Sequence, residues 1–193
     1  LAKGPRYRVP YRRRREAKTD YKARRILATS ERPRFVVRPS NKAITIQIVK
    51  SRVEGDSILT QVSSGELGKY GWLGGSKNTS AAYLLGLIAG KKALKEGIEE
   101  ANLDLGLLSP TKGSRIFASV KGALDAGLEI PCNSDVIPEP SKIRGEKISE
   151  YAESLIDPQD YKNMFSGYLK RGLRPQSLPE NFDTVKMKIE EEG

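Results

Sequence analysis

The apolar positions of this chain change their spacing from region to region, and each spacing predicts a different element. Arg34-Phe35-Val36-Val37-Arg38, a Pro39-Ser40-Asn41-Lys42 turn and the run Ala43 to Lys50 read as a hairpin. Ile44, Ile46 and Ile48 alternate with Thr45 and Gln47, so one face of the second strand points inward. Glu54-Gly55-Asp56 turns into a third strand, Ser57 to Val62, and connections this short join antiparallel neighbours. From Ala81 to Gly90 the chain is apolar almost all round, the mark of a helix buried against a sheet. Asn78 or Thr79 can cap its start and Gly97 can close its end. Lys91, Lys92 and Lys95 fall in the last turns, where the helix dipole favours cations. Ala101 to Gly106 reads as a further strand, and Ile116, Val120 and Leu124 mark the stripe of a second helix that Gly127 ends.

The flanks are patterned differently. Residues 1–15 contain Gly4, Pro5, Pro10 and Arg12-Arg13-Arg14-Arg15, a composition that predicts an extended segment, disordered without a partner. Glu16 to about Thr29 has no breaker. Ala17, Tyr21 and Ala28 there sit at helical spacing, with Asp20 and Arg24 as an i,i+4 pair, so a short helix is expected, its basic side made by Lys18, Lys22 and Arg25. Pro131 to Pro140 is a proline-marked linker. Ile148/Ala152/Leu155 and Tyr161/Phe165/Tyr168 then suggest two short helices, with a third from Asn181 to Glu192. The expected fold class is α/β (α+β): a mixed, mostly antiparallel sheet covered by helices on one face, with an extended basic N-terminal arm and a helical C-terminal extension. The expected division is 1–30 for arm and short helix, 31–131 for a central α/β domain, and 132–193 for linker and extension.

Charge sharpens this picture. The chain has 193 residues and a formal net charge of +10. Leu1 to Arg38 hold 14 Lys/Arg against three acids, a balance of +11, and the remainder holds 20 against 21. The charge therefore belongs to one end of a nearly neutral body. A concentrated basic arm favours a polyanion, because binding scales with the phosphates neutralised and counterions released. Hydrophobic content of 37% is low for a wholly compact domain and fits a chain partly given to interface segments. The chain has no histidine, which removes the usual proton shuttle and the commonest metal ligand. Its one cysteine, Cys132, excludes an internal disulfide and suits a reducing compartment. No apolar run approaches the roughly 20 residues of a membrane span, and the basic start lacks the apolar stretch of a secretory signal. A cytoplasmic, soluble protein without cofactor, membrane or small-molecule substrate is expected.

Several groups could carry chemistry. The arm arginines repel one another and are relieved only by anions, while Tyr7 and Tyr11 add planar groups able to stack on unpaired bases. A solvated tail or localisation signal is the plainer alternative. Gly74-Gly75-Ser76-Lys77-Asn78-Thr79 opens a helix and offers backbone N–H groups and a lysine to a phosphate. It lacks the spacing of a nucleotide-binding P-loop, and an ordinary capped glycine loop explains it equally well. Asp104 and Asp125 could form half of a two-metal nuclease site, which makes a metal-dependent RNA-processing enzyme the alternative function, although structural roles suit both better. A DNA-packaging protein is a third reading. Cys132, without a histidine partner, makes a poor nucleophile. Trp72 is either core or a stacking platform, with core favoured.

Five segments stand in an order typical of one family: Tyr11-Arg12-Arg13-Arg14-Arg15-Glu16, Lys18-Thr19-Asp20-Tyr21, Ser40-Asn41-Lys42, Lys69-Tyr70-Gly71-Trp72 and Thr111-Lys112-Gly113-Ser114-Arg115. The most specific piece is Lys121-Gly122-Ala123-Leu124-Asp125-Ala126-Gly127-Leu128-Glu129-Ile130-Pro131. From about Gly4 to Tyr151 the chain resembles the large-subunit ribosomal protein eighteen family, archaeal branch, whose members bind 5S rRNA. The resemblance implies a central domain against 5S rRNA, an arm threaded into the large subunit, anchorage to 23S rRNA in the central protuberance, neighbouring large-subunit proteins as partners, and no catalytic residues. Carried over by motif, Arg12, Arg13, Arg14, Arg15, Lys18 and Arg24 would meet rRNA phosphates. Arg38, Asn41, Lys42 and Gln47 would face 5S rRNA, as would Lys69 and Lys77. Arg25, Lys112 and Arg115 complete the RNA-facing set. Pro39 and Ala43 depart from the family, flanking a turn where a basic residue or histidine is common.

Overall fold

The computed structural model describes residues 4–155 and 157–192. Four strands, β1 (Arg34–Pro39), β2 (Ile44–Ser51), β3 (Asp56–Ser63) and β4 (Asn102–Asp104), form one sheet in the order β3-β2-β1-β4. The hairpin is closed by Ser40, whose backbone N–H donates to Ala43 O at 2.7 Å and whose Oγ accepts from the Ala43 N–H. β1 and β2 pair antiparallel with Val36 opposite Gln47 and Val37 opposite Ile46. β2 and β3 pair likewise, with an irregularity at Ile48/Val49. β4 lies parallel to β1, a pairing that needs a long crossover.

That crossover carries the central helix. Two helices, α1 (Arg12–Arg15) and α2 (Tyr21–Thr29), precede the sheet, and α3 (Thr79–Lys95) and α4 (Arg115–Asp125) flank β4. Asn78 caps α3, its Oδ1 accepting from the Ala81 N–H at 2.7 Å. α3 and α4 pack on the sheet face made by Phe35, Val37, Ile44, Ile46 and Ile48, all essentially inaccessible to water. They run in the same direction and touch backbone to backbone. A Cβ on Gly86 would lie 1.9 Å from Ser119 O, and one on Gly122 would lie 2.1 Å from Tyr83 O. Only glycine permits that approach.

The C-terminal segment continues as α5 (Pro140–Arg144), α6 (Glu146–Ser154), α7 (Pro158–Met164), α8 (Ser166–Lys170) and α9 (Leu178–Glu191). The predicted aromatic helix is divided at Phe165, which ends α7 and precedes α8. Leu178, Phe182, Val185 and Ile189 of α9 enter the same hydrophobic cluster as the sheet and α3. Lys91 of α3 donates to the Ile189 and Glu190 carbonyls, both at 2.7 Å, fixing the last turn of α9.

The N-terminal helix differs from its expected span. A single uninterrupted helix from Glu16 is replaced by one turn at Arg12–Arg15 and a second helix beginning at Tyr21. The Asp20 carboxylate accepts from the Lys22 and Ala23 N–H groups, a local bond that competes with helix continuation and makes aspartate a starter. The first turn ends where Ala17 takes φ +50°, with Lys18 N–H bonded to Arg13 O and Ala17 N–H to Arg14 O, the two-bond closure of a Schellman motif. The arginine run is therefore helical at its own position rather than extended.

Candidate nucleic-acid interface

The candidate surface starts at one end of the α3–α4 pair. Because the helices are parallel, both N-termini emerge together, and α-helix N-termini carry partial positive charge. The Arg115 guanidinium donates to Lys77 O at 3.1 Å, tying the start of α4 to the residue before the α3 cap. Ser76 Oγ donates to Lys42 O at 2.7 Å, bringing the β1–β2 turn to the same place. Lys142 of α5 donates to Gly113 O at 2.8 Å and braces the loop that carries Lys112. Asn41, Lys42, Lys77, Lys112 and Arg115 are all exposed. Three segments far apart in sequence thus build one cationic edge. Lys69 is also exposed, on the turn Glu66–Tyr70 that follows β3.

The glycine loop behind this edge is locked from two sides. Trp72 is buried and donates Nε1–H to Gly75 O at 3.1 Å. Gly74 is wedged between the Trp72 ring and Leu178. Asn181 of α9 accepts from the Leu73 N–H and donates to Gly71 O, both at 3.1 Å. Trp72 is thus core, as favoured from sequence. Asn181 carried no sequence signal, because its partners are backbone atoms 108 and 110 positions away.

The opposite face of the sheet is electrostatically organised. Strand alternation puts Arg34, Val36 and Arg38 there, since Phe35 and Val37 face the core. Asp104 accepts from Arg34 Nη1 at 2.9 Å and from Arg38 Nη2 at 2.8 Å. Arg38 also donates to Asp104 O, and the Gly106 N–H donates to the Asp104 carboxylate. Arg34 is 4% exposed, and its Nη2 lies 2.8 Å from Asp56 Oδ2. Arg24 of α2 reaches the same Asp56 oxygen at 3.2 Å. A chain of alternating charge, Arg24–Asp56–Arg34–Asp104–Arg38, crosses this face. Burial pushes the Asp104 carboxyl up, but the Arg38 hydrogen bond and charge, the Gly106 N–H and Arg34 outweigh it and hold the carboxyl below its usual range. Gln47 is half-buried and donates to Gln61 at 2.6 Å.

The family model described as ribosomal large subunit proteins 60S L5 and 50S L18 matches residues 5–101 and 95–133. Large ribosomal subunit protein uL18 of Thermofilum pendens is 54% identical, over 99% of this chain and 98% of its own length. The uL18 of Methanothermobacter thermautotrophicus is 52% identical over the full length of both. The chain belongs to the archaeal uL18 family. As a uL18-family protein it is a structural constituent of the large ribosomal subunit and associates with rRNA and ribosomal proteins.

Within this family member the remaining candidates separate clearly. Asp104 and Asp125 do not make half of a metal site: Asp104 is spent on Arg34 and Arg38, and Asp125 accepts from Tyr83 Oη at 2.8 Å and Lys121 Nζ at 2.7 Å. Among the described residues no group of three His, Cys, Asp or Glu side chains is arranged to hold a metal ion. Burial, then the Asp125 carboxylate, pushes the Tyr83 hydroxyl well up, so it stays a donor. Burial also pushes the Cys132 thiol up, which disfavours the nucleophilic thiolate. No described helix is long and apolar enough to cross a membrane.

The arm residues Tyr7, Tyr11 and Arg12 to Arg15 are exposed. Tyr11 packs on Tyr21 with ring centroids 5.1 Å apart, and Arg13 Nε donates to Thr19 at 2.8 Å. Glu16 pairs with Lys18 at 2.9 Å. Lys18 and Arg25 are exposed, so the basic side of α2 and the first turn face outward together.

Proposed function

We propose that this chain binds 5S rRNA through its cationic edge and anchors it to 23S rRNA in the central protuberance through its basic arm. The observation that carries the reading is the convergence of Lys42, Lys77 and Arg115 on one edge, held there by the Ser76–Lys42 and Arg115–Lys77 bonds. Phosphates are met both by cationic side chains and by helix N-termini, and this edge sets Lys42, Lys77 and Arg115 beside the starts of α3 and α4. Asn41, Lys69 and Lys112 extend the edge. The arm, with Arg12 to Arg15 exposed and a surplus of positive charge, suits a deep phosphate-rich path. The bonds that Arg38 and Gln47 make to Asp104 and Gln61 give them a structural duty on the other face. The protein acts by positioning RNA in the cytoplasmic ribosome, with no chemical step.

Replacing Lys42, Lys77 and Arg115 together with alanine should lower the slope of log affinity for 5S rRNA against log salt by about two to three. Filter binding of full-length protein to 5S rRNA measures this. An unchanged slope would remove the edge from the RNA interface.

A further inference from the structure

The C-terminal segment carries a cationic stretch of its own. Residues 161–174, which take in the end of α7, all of α8 and the turn after it, hold Lys162, Lys170, Arg171 and Arg174 and no carboxylate. Taking these four from the 20 basic residues after Arg38 leaves 16 against 21 acids, so the stretch stands out from an otherwise acidic remainder. All four side chains are exposed. Among the described residues none of them enters an ion pair. Arg24, Arg34 and Arg38, by contrast, are taken up by Asp56 and Asp104.

The stretch has a fixed place in the fold. Phe165 is buried where α7 meets α8, with the Tyr151, Tyr161 and Tyr168 rings 6.2, 5.4 and 5.9 Å from its own. The Arg171 guanidinium lies 5.4 Å from the centre of the Tyr168 ring, and its Nε donates to Leu73 O at 2.7 Å. A Cβ on Gly75 would lie 3.2 Å from Tyr168 Oη. α8 thus leans on the glycine loop whose next residues, Ser76 and Lys77, belong to the cationic edge.

We infer that this stretch is a second contact for the backbone of 5S rRNA, with Lys162, Lys170 and Arg174 meeting phosphates while Arg171 ties α8 to the glycine loop. The inference rests on the reading of the edge as a 5S rRNA surface. Cations gathered without acids favour a polyanion, and the glycine loop joins them to the edge that this RNA would occupy. The aromatic cluster around Phe165 holds their backbone in place, so less ordering is lost on contact.

The test replaces Lys162, Lys170 and Arg174 with alanine in the full chain and keeps Arg171, which holds Leu73. The three side chains are exposed and unpaired, so the thermal melt should be unchanged. In filter binding the slope of log affinity for 5S rRNA against log salt should fall by about two to three; an unchanged slope would overturn the inference. The variant Lys162→Arg, Lys170→Arg, Arg174→Lys keeps every charge and should keep the slope, and a fall there would assign the loss to something other than charge. A photocrosslinking benzoylphenylalanine at Met164, which is 61% exposed, should attach to 5S rRNA in assembled large subunits. Attachment to another subunit protein instead would overturn the inference. If the Lys42, Lys77 and Arg115 variant lowers the slope and the C-terminal one does not, this contact falls and the edge reading stands. If neither lowers it, the edge reading falls as well.

Discussion

Asp104 is the residue on which the back of the sheet depends. It lies between two guanidiniums, one of them buried, so removing its charge leaves the buried Arg34 with Asp56 as its one remaining carboxylate. Asp104→Asn should destabilise the fold by about 3 kcal/mol, the usual cost of breaking one side of a buried pair, measured by urea unfolding at neutral pH. Its folded-state pKa is held below the ordinary 3.8. The stability it contributes is therefore complete above that value and lost as pH falls through the lower folded one. The gap between wild type and Asp104→Asn should be full above about pH 5, shrink as pH falls below the ordinary 3.8 and close only below the lower folded value; a constant gap at all pH would contradict the assignment. Gly86 gives a second residue-scale test. Gly86→Ala drives a methyl into Ser119 O and should cost about 3 kcal/mol or more. Gly68→Ala, where a Cβ meets nothing within 4 Å, should be nearly neutral in the same melts.

At the scale of elements, what the sequence revealed and what it hid divide along physical lines. The strand alternation of Ile44, Ile46 and Ile48 and the apolar run of Ala81 to Gly90 are local burial patterns, and both produce the expected elements. The start of α2 was displaced because a side chain outbid the helix: Asp20 bonds the next backbone groups. Asn78 and Gly97 were legible as ends because capping is local chemistry too. The packing of α9 onto α3, and the grip of Asn181 on the glycine loop, were not legible. They join residues about a hundred positions apart, and an asparagine bonded to backbone leaves no pattern. Arg34 was half legible, since alternation sets its face but not its partners. α9 covers core shared with the sheet, and Leu178, Phe182, Val185 and Ile189 are each worth about 2 kcal/mol when buried. Phe182→Ala alone should cost about 3–5 kcal/mol, and a chain ending before Leu178 should lose its cooperative thermal transition. Retention of that transition would show that the extension is dispensable to the core.

For the whole molecule, the separation of charge from core is the organising feature. The first 38 residues hold a balance of +11 and the other charges nearly cancel, yet the remainder still gathers exposed cations at one edge because three loops meet there. On the proposed reading the N-terminal arginines and that edge serve different RNAs. Replacing Arg12 to Arg15 with alanine should lower the salt slope for 23S rRNA fragments by about three to four while changing that for 5S rRNA little. The family resemblance in sequence runs mainly to Tyr151, whereas relatives match over the full chain, in keeping with a C-terminal segment that completes the core. The most direct test of the central claim is a hydroxyl-radical footprint of the full chain on 5S rRNA, compared with the Lys42, Lys77 and Arg115 alanine variant. Wild-type protein should protect a contiguous set of 5S nucleotides that the variant leaves open; absence of protection by wild type, or identical protection by both, would contradict it.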